Sequence, residues 1–537
     1  MFTYLYILVL NLGTWHRVGL SILLGALSAL ALPPWYFLPL IIPAFTGLLW
    51  LIDAAEKSPY PLSRSAVIAW LFGFGHFFVG MHWIVEPFLV DATRHSWLIP
   101  FVVLGLSGGL AVFIAISGVL ITFCTQIFIL SPLARVLLFS VIWVIMEWVR
   151  TWLFTGFPWN LIGYIWSSTT EVMQTAAFVG VLGISLLTVI AAGMSAILAN
   201  TRGYKNICIV LFCSVFLPAA LWGAGALRLG GAPDYLGSDG LNMVPEVNLR
   251  IVQANIPQNK KWVARYQESN LQRHVSLSEN KLLSLPTHVI WPEATVPPLK
   301  VYDSYVRSIA KNLISPEGAL ITGAVRRGGA IEQDFWNSVY FINNLGKNIA
   351  LYDKSDLVPF GEYVPFRDIL PIDKLVPGHG DFISGISRKT IEIKGLPPVS
   401  PLICYEGIFP GRTHIPDSRP DWLLSLTNDA WFGSYAGPQQ HFAITIFRSI
   451  EEGLPLVRAA NTGISAIVDP YGRIIEMLDV GVVGVINSGL PRPLQKQTLY
   501  AKWGNLTSAG MTGLVIILII LLQVLDLKFI KHNVEPT

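Results

Sequence analysis

The chain runs to 537 residues, with 53% apolar side chains, 13% charged ones and a mean hydropathy of +0.54. Soluble globular chains carry about 25% charged residues, so an ordinary cytosolic protein is excluded, and so is disorder, which needs low hydrophobicity and high charge. A net charge of +3 is too small to point to a nucleic-acid partner.

Residues 1–230 are near-continuous apolar runs cut by short loops, 246–500 have soluble composition, and 509–531 are apolar again. A membrane-spanning helix needs about 20 mostly apolar residues. Seven stretches qualify before the soluble part: 17–32, 37–55, 66–85, 97–129, 133–153, 171–199 and 206–227; the eighth is 509–531. This predicts a membrane bundle over 1–227, a linker over 228–245, a water-facing domain over 246–498, a return linker over 499–508 and one last span. Residues 1–15 are apolar, but no basic residue precedes them and no small-residue cleavage site follows, so they do not read as a cleaved leader. They lengthen the first span or lie in the interface.

Lys and Arg in short loops set orientation. With the N-terminus inside, the inner loops hold Arg17, Lys57, Arg64, Arg135, Arg202 and Lys205, and the tail adds Lys528 and Lys531; the short outer loops hold Arg94 and Arg150. That bias puts the 246–498 domain outside the cytoplasm. Glu147 and Arg150 fall on one helix face at the end of the fifth span and read as a local ion pair, with a grip on a lipid phosphate as the sharper alternative. His76 and His82, in or near the third span, read as satisfied polar residues. Cys124, Cys208 and Cys213 lie in apolar spans and read as small buried hydrophobes. Cys404 is alone in the soluble part, so no disulfide framework exists there. An unpaired thiol facing an oxidising compartment needs burial or a chemical role.

The soluble part alternates β-rich runs (249–253, 289–292, 319–325, 338–343, 402–405, 422–427, 464–469, 482–486) with helical patterns at 264–284, 303–313 and 437–452. Such alternation predicts an α/β layered fold. Consecutive apolar positions, as in Trp422-Leu423-Leu424-Ser425-Leu426, suit strands buried on both faces. Three segments carry reactive groups: Glu293 in Trp291-Pro292-Glu293-Ala294-Thr295, Lys354 in Tyr352-Asp353-Lys354-Ser355-Asp356, and Cys404 in Ile403-Cys404-Tyr405-Glu406. Taken singly they read as a surface carboxylate, a solvated charge and a core thiol. Together they make a chemistry: a carboxylate takes the thiol proton, an ammonium favours the thiolate, and a lysine with a backbone N–H stabilises the oxyanion of a carbonyl under attack. His274, His288, His379, His414 and His441 show no ligand spacing, so neither metal nor cofactor is expected.

Glu, Lys and Cys in this order, each at a strand end, resemble the nitrilase superfamily. The fuller strings, with Leu357-Val358-Pro359-Phe360-Gly361-Glu362-Tyr363-Val364-Pro365, Asn428-Asp429-Ala430-Trp431-Phe432-Gly433 and Phe154-Thr155-Gly156-Phe157-Pro158-Trp159, resemble the apolipoprotein N-acyltransferase family. The resemblance implies a multi-pass bundle of about eight spans with an extracytoplasmic αββα sandwich, in the inner membrane of a bacterial cell. The domain would face the periplasm and both termini the cytoplasm. It implies a monomer that forms a thioester from a phospholipid, commonly phosphatidylethanolamine, and passes the acyl chain to the amine of a diacylglyceryl-cysteine on an apolipoprotein. By position, Cys404 would be the nucleophile, Glu293 the base and later acid, and Lys354 the oxyanion donor. Glu362 would orient Lys354. Tyr405 and Glu406 would shape the pocket, and Trp262 and Trp431 match loop tryptophans. Phe360, Trp431 and Phe432 would shield the thioester from water. A membrane-tethered amidase with the same three residues, and a transport or lipid-binding protein, are the competing readings.

Overall fold

The computed structural model describes every residue except 200–202, 236–241, 280–284, 298, 329–333, 370–373, 377–379 and 535–537, and excludes the side chains of 299–303 and 526–534. Arg202, His379, the end of the 264–284 helix, part of the 228–245 linker and the side chains of Lys528 and Lys531 lie outside the described residues. The chain divides into two compact units. One comprises Met1–His82, Leu98–Gly230 and Lys502–Thr537; the other comprises Trp83–Trp97 and Gly231–Ala501.

In the first unit, seven helices among the described residues are long and apolar enough to cross a membrane: Leu38–Glu56, Pro61–Gly80, Ala92–Ile127, Pro132–Arg150, Ala176–Ala199, Tyr204–Gly230 and Leu506–Leu525. The 17–32 stretch is the helix Thr14–Ala29, only 16 residues long. At 1.5 Å per residue it reaches about 24 Å, short of a ~30 Å hydrocarbon core. Residues 1–15 do not lengthen it: Phe2–Leu10 is a separate helix, with Phe2 and Tyr6 edge-on to Trp50. The return stretch 499–508 is itself helical, with Leu499–Trp503 followed by a helix from Leu506.

Apolar helices gain little from hydrophobicity when lipid surrounds them, so close packing of small residues matters. Thr14–Ala29 and Pro61–Gly80 show this twice. A Cβ at Gly25 would lie 1.9 Å from the Phe72 carbonyl oxygen, and one at Gly75 would lie 2.1 Å from that of Ile22. Between these helices Ser21 Oγ donates to Ile68 O at 2.7 Å, and Ser28 Oγ meets His76 Nδ1 at 2.8 Å. His76 is thus a satisfied polar residue. Glu147 and Arg150, read as a local ion pair at the end of the span, prove to be bound mainly to the chain that follows. Both are buried, and both hold the loop that follows their helix: Arg150 Nη1 donates to the carbonyls of Phe157 and Trp159 at 2.9 and 2.5 Å, and Glu147 Oε1 accepts from Ile162 N at 2.8 Å. The cysteine reading also changes. Cys124 and Cys213 are half-buried and Cys208 is exposed.

The second unit is built on two six-stranded sheets. The strands are β1 (Met243–Gln253), β2 (His288–Val296), β3 (Ala319–Gly328), β4 (Asp334–Asn343), β5 (Asn348–Asp353), β6 (Ile391–Ile393), β7 (Leu396–Ile403), β8 (Trp422–Thr427), β9 (Leu456–Ala460), β10 (Ser465–Val468), β11 (Ile474–Leu478) and β12 (Gly484–Pro491). The sheet orders are β12-β1-β2-β3-β4-β5 and β11-β10-β9-β8-β7-β6. Each has three parallel strands at its centre, β1-β2-β3 and β7-β8-β9, and antiparallel strands outside them.

Period-two alternation gives the central strands two buried faces. Ile251, Ile290, Ile321 and Phe341 meet Ile403, Leu424, Leu426 and Ala459 between the sheets. Val289, Trp291 and Leu320 point the other way, onto helices Ala264–Ser278 and Leu299–Leu313. Helix Ala436–Glu452 is buried along nearly its whole length and ties to the second sheet, where Ser449 Oγ donates to Asp469 O at 2.7 Å. The order helix, sheet, sheet, helix is the expected αββα sandwich.

Gly25→Val should force the two glycine-paired helices apart. Overpacking of this kind costs about 1–3 kcal/mol, so the temperature of half-inactivation in detergent should fall by several degrees. Gly105→Ala, at a site with open space around it, should leave it unchanged.

Candidate active site

The inter-sheet layer brings the three reactive residues together. Glu293 lies inside β2, where pairing with β3 is interrupted between Trp291 and Val296. The next residue, Ala294, has φ +47°, so the strand bulges and aims Glu293 inward. Gly323 on β3 permits this: a Cβ there would lie 2.5 Å from Pro292 O and 2.6 Å from Ala294 N. Lys354 directly follows β5, its N–H donating to Asn337 O at 2.8 Å. Cys404 directly follows β7 at φ +50°. Positive φ outside glycine is strained, and such strain collects at functional positions.

All three are buried, Lys354 at 1% exposure and Cys404 at 5%. Lys354 Nζ lies 3.7 Å from Glu293 Oε1, and 2.9 and 3.0 Å from the two oxygens of Glu362. Asn337 Nδ2 bridges both carboxylates, donating to Glu293 Oε1 at 2.7 Å and Glu362 Oε1 at 2.9 Å. Asn428 N donates to Glu293 Oε2 at 2.8 Å, and Val358 N to Glu362 Oε2 at 2.8 Å. Burial alone would lower the Lys354 ammonium; Glu362 and then Glu293 outweigh it and hold it above its usual range. The Cys404 thiol is pushed up by burial and by the Glu293 carboxylate, with Lys354 opposing. Burial and the nearby Glu293 thus both favour the thiol over the thiolate.

Residues 24–194 match the apolipoprotein N-acyltransferase N-terminal domain, and residues 248–494 match carbon-nitrogen hydrolase. The apolipoprotein N-acyltransferase of Rhodopseudomonas palustris is 38% identical over 526 residues, which is 94% of this chain and 95% of the relative. This chain belongs to the apolipoprotein N-acyltransferase family. Family members from Bradyrhizobium diazoefficiens (36% identical, 94% of each chain) and Rickettsia prowazekii (34%, 93% of this chain and 97% of the relative) align over similar lengths. Among solved structures, an amidase from Nesterenkonia sp. aligns over 47% of this chain and 94% of its own, with 17% identity and a TM-score of 0.34.

The remaining residues singled out from the family resemblance fall in different places. Glu406 is fully buried and works as a clamp: Oε1 accepts from Tyr352 Oη (2.7 Å), Ser355 N (2.8 Å) and Ser355 Oγ (2.9 Å), and Oε2 from Ile403 N (2.7 Å). It binds the turn after Lys354 to the turn at Cys404. Tyr405 is buried, edge-on to Phe409. Trp262 is half-buried beside Ala294, Val325 and Phe382. Phe360 is 45% exposed and Trp431 half-buried. Phe432 is wedged between Trp83 and His441, with ring centroids at 4.9 and 5.5 Å. Asp353 and Asp356 are not partners of Lys354: they pair with Arg326 and Arg388.

Sequence reasoning missed a second buried network. Asp429 accepts from Arg458 Nη2 at 2.7 Å and Thr427 Oγ1 at 2.8 Å and contacts His441 Nδ1 at 2.9 Å, while His441 Nε2 reaches Cys404 O at 3.2 Å. His441 was read only for metal spacing, whereas here it braces the Cys404 backbone. Asn337 was missed because its partners, Glu293 and Glu362, reach it only through sheet register. Lys261, whose Nζ donates to Glu293 O at 2.8 Å, was passed over beside Trp262; burial lowers it to about 8.

A raised thiol gains thiolate with alkali. Alkylation of Cys404 by iodoacetamide, read by mass spectrometry, should rise about tenfold per pH unit from 7 to 9 without a plateau; a plateau near pH 7 would mean a resting thiolate. Gly323→Ala should cut acyl-transfer activity at least about tenfold by displacing Glu293, with the melting temperature lowered by a few degrees because the added Cβ meets backbone atoms.

Proposed function

We propose that this chain is a bacterial inner-membrane enzyme that moves an acyl chain from a phospholipid, commonly phosphatidylethanolamine, to the N-terminal amine of a diacylglyceryl-cysteine apolipoprotein. The observation that carries the reading is the buried meeting of Glu293, Lys354 and the strained Cys404 in a chain with seven membrane-length apolar helices among its described residues.

In the first step Glu293 takes the Cys404 proton as Sγ attacks the ester carbonyl. Negative charge develops on the carbonyl oxygen, where the Lys354 ammonium, kept charged by Glu362, stabilises it. Collapse breaks the ester C–O bond, Glu293 returns the proton to the leaving oxygen, and a lysophospholipid departs. In the second step the amine attacks the thioester and Glu293 takes an amine proton. The C–S bond then breaks and the proton goes back to Cys404. Asn337 and Asn428 hold the Glu293 carboxylate through both steps.

The catalytic unit faces the periplasm and both termini the cytoplasm. The loop charges support this orientation, and so does the clustering of inner-loop cations: Arg17 donates to Leu10 O, Lys57 lies over the Tyr6 ring, and Arg135 pairs with Asp53 and Glu56. A single chain supplies every residue used, so a monomer suffices.

Intact-mass spectrometry of the detergent-solubilised protein with phosphatidylethanolamine should show one fatty-acyl adduct. Hydroxylamine should remove it, Cys404→Ala should lack it, and a diacylglyceryl-cysteine peptide should discharge it. Absence of any adduct with every phospholipid headgroup would sink the covalent mechanism. Discharge to free acid at the same rate with and without the peptide would favour the amidase.

A further inference from the structure

Buried polar atoms in folded proteins nearly always find partners. One exception is joined to Glu293 through Asn428. Gln258 is 8% exposed and its Nε2 has no hydrogen-bond partner. It opens the short helix Gln258–Lys261, whose other end reaches the same strand through the Lys261 bond to Glu293 O.

The amide cannot be reversed to remove the problem. Which end of an amide is nitrogen is normally assigned from its neighbours, and here the chain of neighbours begins at a backbone N–H, which can only donate. Ile256 N donates to Asn461 Oδ1 at 2.9 Å. That turns Asn461 Nδ2 toward Ile256 O at 2.8 Å and Asn428 Oδ1 at 2.9 Å. Asn428 Nδ2 therefore faces Gln258 Oε1, at 2.8 Å. Reversing Gln258 would set two NH2 groups against each other. The unused end is a donor, fixed in direction by a relay of three amides. The same Asn428 donates its backbone N–H to Glu293 Oε2 at 2.8 Å, so the spare donor stands one link from the reacting carboxylate.

We infer that Gln258 is a substrate-binding residue whose Nε2 donates a hydrogen bond to a carbonyl oxygen of the substrate held at Cys404. The chemistry selects that group. A donor cannot hold the protons of the incoming amine, and a neutral amide next to a carboxylate suits an uncharged carbonyl better than a phosphate. The carbonyl belongs either to an ester of the phospholipid or to the acceptor peptide, and the two half-reactions separate these sources. The inference rests on the thioester reading of the site.

The test uses the full-length detergent-solubilised protein and two variants, Gln258→Met, which keeps the length and removes the amide, and Gln258→Glu, which still accepts from Asn428 but offers no NH2. Acyl-adduct formation from phosphatidylethanolamine and discharge by a diacylglyceryl-cysteine peptide are timed separately by intact mass, alongside melting temperature. One half-reaction should slow about 10- to 100-fold, the span of one hydrogen bond in a closed site, with the other within about twofold and melting unchanged. Slow adduct formation assigns the carbonyl to the phospholipid, slow discharge to the acceptor. If both variants match wild type in both steps, the inference is wrong. Equal slowing of both steps, or a lowered melting temperature in both variants, assigns Gln258 to holding Asn428 in place and overturns the binding role. Failure of the wild type to form any adduct fails the site reading itself, and the inference with it.

Discussion

The Lys354 ammonium sits between two sheets at 1% exposure, where an isolated charge would give up its proton rather than stay. It remains charged because Glu362 grips it with both oxygens and Glu293 stands 3.7 Å away. That need for compensation arranges everything around it. Two carboxylates beside one ammonium leave a surplus of negative charge, which is met by the hydrogen bonds of Asn337, Val358 and Asn428. Breaking such a group by removing one partner is far more damaging than its net contribution to stability. The three elements that carry Glu293, Lys354 and Glu362 therefore cannot shift independently.

Two further buried anions extend the same logic to Cys404. Glu406 ties the Lys354 turn to the Cys404 turn through backbone N–H groups on both sides. Asp429 anchors Arg458 and His441, and His441 reaches the Cys404 carbonyl. Burial is outweighed at Asp429 by Arg458 and then His441, which hold its carboxyl below the usual range. The left-handed φ of Cys404 is thus set from opposite sides by partners that are themselves charge-locked. Strained backbone persists only where the surroundings over-determine it, and here they do.

What was legible in the sequence follows from range. Strand β8 matches its reading residue for residue because its apolar run is local. Strands β6, β9 and β11 were missed: β6 has three residues, and β9 carries Arg458, a buried cation whose anion is supplied by another strand end. Strand β5, which delivers Lys354, was missed because Asn348 and Asp353 blur its alternation. Glu293, Lys354 and Cys404 were singled out through their local strings, but their neighbours Asn337 and His441 become visible only once the register is known. The membrane bundle shows the same divide. Helix existence was readable from hydropathy, whereas the burial of Glu147 and Arg150 against a loop 7 to 15 residues ahead depends on how that loop folds back.

The raised thiol fits the compartment proposed for it. A cysteine with a depressed pKa is nucleophilic at all times and is oxidised accordingly. Cys404 has no second cysteine in its domain to resolve such damage. In the proposed mechanism burial favours the thiol, and Glu293 removes its proton only when a carbonyl arrives to take the sulfur. In that mechanism proton transfer and attack are coupled, and the same carboxylate releases the proton to the departing oxygen. An unprotected thiolate would gain rate in the first step and lose the protein to oxidation between turnovers. On that reading the buried pair of thiol and carboxylate delays nucleophilicity until substrate is bound.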